Sequence, residues 1–185
     1  MSSMALPPKG VVIRLATRDE AILLPTVEKS AAQAFRRYPR LAFVAEGAVL
    51  PVASHHRCVE AMTCWVAVAE TGGPPVGFLS ATVLDADMHV LEMSVAAEWQ
   101  GRGIGRALLA ACRDDATARR LRAVTLTTFR DVPWNAPFYR RQGFRFLSEG
   151  EEHARLRADL AAEAADGLAV ESRCAMVLPL RKMAY

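Results

Sequence analysis

The segment "WQGRGIGRALL", Trp99 to Leu109, constrains this chain more than any other stretch. Gly101, Gly103 and Gly105 alternate with Arg102, Ile104 and Arg106, and helix-forming sequence follows without a break. Glycine at such spacing supplies bare backbone at the mouth of a helix. A steric turn is the simplest use of it. A Walker-type phosphate loop would need Gly-Lys-Ser/Thr at its end, which is missing here. A dinucleotide fingerprint would need GxGxxG inside a βαβ unit, whereas this spacing is GxGxG. What remains is a pyrophosphate held by successive N–H groups, favoured by the helix dipole and by Arg102 and Arg106. A cofactor with a pyrophosphate and a long neutral arm fits that description.

Periodicity around this segment predicts a mixed α/β chain. Gly10–Ala16 alternates and reads as a first strand. Thr17 and Glu20 have capping-box spacing, and Ile22, Leu23, Val27, Ala31 and Ala34 then share a helical face. The stretch from Arg36 to Ala53 is turn-rich and reads as irregular. A short helix follows over "SHHRCVEAM". "TCWVAVAE" and "PPVGFLSATVLD" read as strands joined by "TGGPP", and Met88–Val95 as a fourth strand. Residues 103–118 form a helix with Ile104, Leu108, Ala111 and Cys112 on one face. Ala123–Phe129 is a fifth strand. Asn135–Gln142 is a short helix, with Asn135 as N-cap, Pro137 in its first turn and Gly143 just past its end. "FRFLS" is a sixth strand. Glu151–Ala165 is a charged helix with Leu156 and Leu160 inward, and "SRCAMVLPL" is a seventh strand. Three strands run consecutively in the middle, so the pattern is not a doubly wound sheet.

At 185 residues the chain suits one domain with a tail over residues 1–10. The formal charge of +3 does not mark a nucleic-acid partner. No segment reaches the ~18 apolar residues of a membrane span, and the N-terminus does not resemble a signal peptide. Cys58, Cys64, Cys112 and Cys174 form no CxxC pair. They read as reduced thiols of a cytoplasmic protein, and no metal site is expected.

"VAAEWQGRGIGRALL" resembles motif A of the GCN5-related N-acetyltransferases (GNAT), through Gln100, Gly103 and Gly105. "NAPFYRRQGF" is similar to a second marker of that family, through Tyr139, Gly143 and Phe144. The resemblance spans roughly Val11 to Leu180. It implies a GNAT-type fold over 11–182, a splayed, mostly antiparallel seven-stranded sheet flanked by helices. It implies acetyl-CoA as cosubstrate, its pantetheine arm along Met93, Ser94 and Val95. The pyrophosphate would then sit on Gln100, Gly101, Arg102, Gly103, Ile104, Gly105 and Arg106.

The resemblance also implies site roles. Asn135, four residues before Tyr139, would face the cofactor. The chain lacks the Leu-Glu-Val strand-five pattern of N-terminal acetylators, having "LTTF", and the tandem strand-four histidines of arylalkylamine types. Tyr139 is the candidate general acid for the leaving thiolate, since a phenol of pKa near ~10 stays protonated at neutral pH. An alkylamine of pKa near ~10.4 must lose a proton before attack, and His89 and Glu92 are the candidate bases. His55 and His56 are candidate acceptor contacts. The activity implied is acetyl transfer to the primary amine of a small molecule by direct attack in a ternary complex, without a membrane partner. A non-catalytic acyl-CoA sensor and a protein lysine acetyltransferase are the alternatives, and a homodimer is left open.

Overall fold

The computed structural model describes residues 8–148, 153–165 and 167–180. Seven strands are hydrogen-bonded in the order β1-β2-β3-β4-β5-β7-β6. The chain divides into two compact units. One runs to Thr82 and takes in Val90–Asp115; the other holds Val83–His89 and the chain from Ala116 onward.

In the first unit, β1 (Val11–Leu15) pairs antiparallel with β2 (Cys64–Ala69), and β2 antiparallel with β3 (Gly77–Leu84), whose last two residues belong to the second unit. All but the last residue of β2 are buried. Such a continuous apolar run suits a strand covered on both faces. The core against it is made by Leu24, Val27, Cys58, Val66, Phe78 and Ala96. Leu24 and Val27 lie on α1 (Leu24–Ala32), and Cys58 on α2 (Val52–Glu60).

The start of α1 departs from the expected face. A 3-10 turn over Asp19–Ile22 comes first, and α1 then begins afresh with Pro25 in its first turn. This break rotates the pattern: Ala21, Leu24 and Val27 are buried, while Ile22 and Leu23 are 65% and 40% exposed. Half of the capping box forms, for the turn starts from Arg18 without a side-chain cap bond. The Thr17 N–H donates to Glu20 at 2.8 Å, and Arg14 donates twice to the same carboxylate. The Arg14 bonds hold the Glu20 pKa down at about 2. The stretch expected to be irregular is largely 3-10 helix, over Gln33–Arg37 and Pro39–Glu46.

β4 (Asp87–Val95) enters this unit at Val90 and leads, through a 3-10 turn at Ala97–Trp99, to α3 (Ile104–Ala118). Ser30 of α1 accepts the Ala97 N–H at 3.0 Å, tying α1 to the segment after β4.

In the second unit, β5 (Ala123–Phe129) pairs antiparallel with all of β7 (Arg173–Pro179). The short β6 (Arg145–Phe146) pairs with the other edge of β7, and is briefer than the five residues expected. The start of β4 runs parallel to β5 through Met88↔Val124 and His89↔Thr125. α4 (Ala136–Arg141) ends at Gly143, whose φ of +93° is the left-handed conformation that glycine adopts without penalty. The last helix, α5 (Ala154–Ala165), was expected from Glu151; residues 151 and 152 lie outside the described residues. Among the described residues, no helix is long and apolar enough to cross a membrane.

Candidate active site

The glycine segment is an exposed loop that opens α3. Gly101 and Gly103 have φ of +74° and +84°, and an added Cβ would meet nothing within 4 Å at either. The backbone there is bare without being crowded by the protein itself. Gly105 lies in the first turn of α3, outside the left-handed region. The first N–H groups of a helix have no partner within it, so Ile104, Gly105 and Arg106 present donors at the loop. Side chains brace the turn. Gln100 Nε2 donates to the Val95 carbonyl at 3.0 Å, and Arg102 Nη2 donates to the Glu98 carbonyl at 2.9 Å. The Arg102 guanidinium stacks 4.7 Å from the Trp99 ring centroid. Arg106 is exposed beside the helix mouth.

Gly77 on β3 allows α3 to come this close. A Cβ there would sit 3.2 Å from both the Ile104 side chain and the Ser94 carbonyl. Its only sequence signal is a glycine inside a strand pattern, which marks close backbone approach.

Along β4, Met93 and Val95 are half-buried and Ser94 is buried. Ser94 Oγ donates to Glu92 at 2.7 Å. Glu92 has a neighbour that the sequence reading passed over, Glu28 of α1. Both Glu28 oxygens accept the Leu50 N–H, at 3.1 and 3.2 Å. Burial first, and the Glu92 charge second, push the Glu28 pKa up to about 8. One signal was available: Glu28 is one turn after the buried Leu24, a carboxylate at an inward position of α1.

His55 lies within the core rather than at an open surface. It is fully buried, with Nδ1 2.9 Å from Ser80 Oγ and its ring edge-on to Phe78. Burial pulls its pKa down to about 4. His56 is half-buried.

His89 sits in the second unit, 7% exposed, with Nδ1 3.1 Å from Thr125 Oγ1. The last helix, expected to be charged with Leu156 and Leu160 inward, lays a row of charged side chains on β5. Arg155 donates to Thr125 at 3.2 Å and to Asp159 at 3.1 Å. Asp159 lies 4.0 Å from His89 Nε2. Glu163 accepts from Thr127 and, at 2.8 and 3.0 Å, from Arg173. Burial, followed by the Arg155 charge, lowers the His89 pKa to about 4. Spacing by four along α5 and alternate threonines on β5 carried this arrangement in the sequence.

Tyr139 is buried on α4, edge-on to Phe138 and Phe144 at 5.2 and 5.5 Å. Asn135 occupies the N-cap position of α4 without a side-chain cap bond, and its Oδ1 is buried with no hydrogen-bond partner. A buried acceptor without a donor is costly, so this atom suits a ligand or a water. Trp134 beside it is 36% exposed. All four cysteines are free and buried. Burial raises the Cys64 and Cys174 thiols to about 11, and those of Cys58 and Cys112 upward too, so none is a ready nucleophile. Among the described residues, no group of three His, Cys, Asp or Glu side chains could hold a metal ion.

Residues 60–146 match the family model described as acetyltransferase (GNAT) domain. The fold is similar to that of Ard1 from Thermoplasma volcanium, with 13% identity and a TM-score of 0.65 over 94% of this chain and 99% of that one. It is similar to Rv2747 from Mycobacterium tuberculosis, solved in complex with CoA, with 18% identity and a TM-score of 0.65 over 92% and 99% of the two chains. The ribosomal-protein-S18-alanine N-acetyltransferase from Escherichia coli has 16% identity and a TM-score of 0.60, over 94% and 96%. At these identities the likeness is one of fold.

Proposed function

We propose that this chain, of which residues 60–146 match a GNAT acetyltransferase domain model, is an acetyl-CoA-dependent N-acetyltransferase whose acceptor is the primary amine of a small molecule. The observation that carries this reading is the loop Gln100–Gly103 opening α3. Two left-handed glycines there present bare backbone with nothing of the protein within 4 Å of an added Cβ. The pyrophosphate of acetyl-CoA would take the N–H groups from Gln100 to Arg106, with Arg102 and Arg106 adding charge, and the pantetheine arm would follow Met93–Val95. The CoA found with one structural relative supports the same cosubstrate. We read residues 11–182 as one catalytic domain after a short tail, in a cytoplasmic protein.

The amine attacks the thioester carbonyl, polarised by β4 backbone N–H, and no covalent enzyme intermediate is needed. Tyr139 is the proposed acid that protonates the leaving thiolate. Asn135, with its unsatisfied Oδ1, is a proposed cofactor contact. Of the two β4 bases, Glu92 is favoured, because His89 is enclosed by Thr125, Arg155 and Asp159.

The test is thiol release from acetyl-CoA across polyamines, amino acids, aminoglycosides, arylalkylamines and peptides, beside melting curves with CoA, NADH and ATP. CoA and acetyl-CoA should raise Tm and the two nucleotides far less. Robust acetylation of a small amine is the expected outcome. Binding of CoA without turnover on any amine would make the protein an acyl-CoA sensor, and activity on folded proteins alone would make it a protein lysine acetyltransferase.

A further inference from the structure

The glycine loop has little to hold it along its length. An added Cβ at Gly101 or Gly103 would meet nothing within 4 Å, and glycine loses more freedom than any other residue when its backbone is fixed. The loop is therefore set by its two ends. At the far end, Ile104 is 1% exposed and lies close against Gly77 of β3. At the near end stands the 3-10 turn Ala97–Trp99. The first N–H of a helical turn has no partner within it, and Ala96, which precedes this turn, gives it no side-chain cap. The partner comes from another helix. Ser30 Oγ of α1 accepts the Ala97 N–H at 3.0 Å, across 67 positions of sequence.

Ser30 follows Leu24 and Val27 at steps of three along α1, a spacing that keeps side chains on neighbouring positions of one face. Those two residues are buried in the core that also takes in Ala96, with Trp99 packed against it. The core that holds α1 thus also holds residues on both sides of Ala97, and the serine hydroxyl completes the tie. Serine gains nothing from standing inside a helix, because its side chain competes for backbone groups; here it finds one on a different segment.

From Ala97 the restraint passes into the loop. The Trp99 N–H donates to the Ala96 carbonyl at 2.8 Å, and the Gln100 N–H to the Ala97 carbonyl at 3.4 Å. The side chains of Gln100 and Arg102 reach back to the Val95 and Glu98 carbonyls. These bonds hang the loop on residues 95–99, whose placement then sets the direction of the loop N–H groups.

We propose that Ser30 is a positioning residue for the cosubstrate: its hydroxyl caps the Ala97–Trp99 turn from α1 and so pre-organises the glycine loop for the pyrophosphate of CoA. This rests on the acetyl-CoA reading and adds to it a residue on a separate helix. A loop already held in its binding geometry loses less freedom when the ligand arrives, and binds it more tightly. Ser30 acts through Ala97 and is assigned no contact with CoA.

Isothermal titration with CoA compares the wild type, Ser30→Ala, Ser30→Thr, Ala97→Pro and the double variant of Ser30→Ala with Ala97→Pro. A ligand-free melting curve of each establishes that it folds. Ser30→Ala should weaken CoA binding about fivefold, equivalent to ~1 kcal/mol, the usual net worth of one hydrogen bond. Ser30→Thr keeps the hydroxyl oxygen as acceptor and should restore the affinity to within about twofold of the wild type. Ala97→Pro removes the same N–H at a position suited to proline. Proline is favoured at the first position of a helical turn, and Ala96, at φ −52° and ψ 142°, already has the extended backbone that precedes a proline. In that background Ser30→Ala has no bond left to break, so the double variant should match Ala97→Pro within about twofold. Gly72→Ala, in the turn between β2 and β3, controls for destabilisation as such and should lower Tm without changing CoA affinity. Wild-type affinity in Ser30→Ala overturns the assignment. So does an equal loss on adding Ser30→Ala to the wild type and to Ala97→Pro, or a matching loss in Gly72→Ala. Each of these leaves the acetyl-CoA reading standing, whereas a wild-type protein that binds no CoA overturns both.

Discussion

Gly103 and Gly72 offer a matched pair of substitutions. Their φ values are +84° and +86°, and at both an added Cβ would meet no heavy atom within 4 Å. Gly72 lies in the turn between β2 and β3, and Gly103 at the mouth of α3. An L side chain in the left-handed region costs about 1–2 kcal/mol. For a chain of this size each kcal/mol lowers Tm by roughly 2–4 °C. Gly72→Ala and Gly103→Ala should therefore each lose about 2–8 °C, and should do so alike, since neither methyl touches protein. A fold of typical stability, about 5–15 kcal/mol, survives that loss.

Only the Gly103 methyl points into the space assigned to the pyrophosphate. Gly103→Ala should weaken CoA binding about tenfold or more, equivalent to ~1.4 kcal/mol, and Gly103→Val further still, because its branched Cβ is wider and stiffer. Gly72→Ala should leave CoA affinity within twofold. Differential scanning calorimetry measures the shared cost and isothermal titration with CoA the unshared one. Equal CoA affinity in Gly103→Ala and the wild type would refute the reasoning: the glycines would then serve only the turn.

Tyr139→Phe keeps the ring contacts with Phe138 and Phe144 and removes the proton. It should lower kcat by about tenfold, below the usual ~10²–10⁴-fold of a general acid, because a thiol of pKa near ~8.5 already leaves well; CoA affinity should not change, and wild-type kcat with chemistry rate-limiting would return Tyr139 to packing. Stability should peak near pH 6.5. His55 and His89 have folded pKa values of about 4, below the usual 6.5, so the unfolded chain binds more protons between those values and Tm falls as the medium is acidified through them. Glu28, at about 8 against 4.5, acts in the opposite sense: its contribution is present below pH 4.5 and is lost as pH rises toward 8. Melting curves of His89→Gln should be flatter on the acid side and those of Glu28→Gln flatter on the alkaline side; an alkaline slope unaltered by Glu28→Gln would contradict the assigned titration.

How much of this was legible in the sequence depended on whether a residue's role was set by its neighbours in the chain or by neighbours in space. β5 was expected at Ala123–Phe129 and forms over those residues, because strand alternation and the bordering turns are local properties. The turn of the glycine loop was legible for the same reason: the left-handed Gly101 and Gly103 and the start of α3 are set within seven consecutive residues. Ile22 and Leu23 were misread because Pro25 restarts the helix, and a restart of one or two residues turns an apolar face by 100° or more. His89 and Glu92 had equal claims on paper, three residues apart on one strand. Thr125, Arg155 and Asp159, from β5 and α5, enclose the first, while Ser94 donates to the second, whose charge acts on Glu28. Glu28 has a role that local sequence does not set. Its inward position could be counted from Leu24, but a carboxylate at that position is as readily a snorkelling surface residue. Burial first and the charge of Glu92 second push the Glu28 pKa up to about 8, against the Leu50 N–H, which favours the charged form; Leu50 and Glu92 both arrive from segments more than twenty residues away.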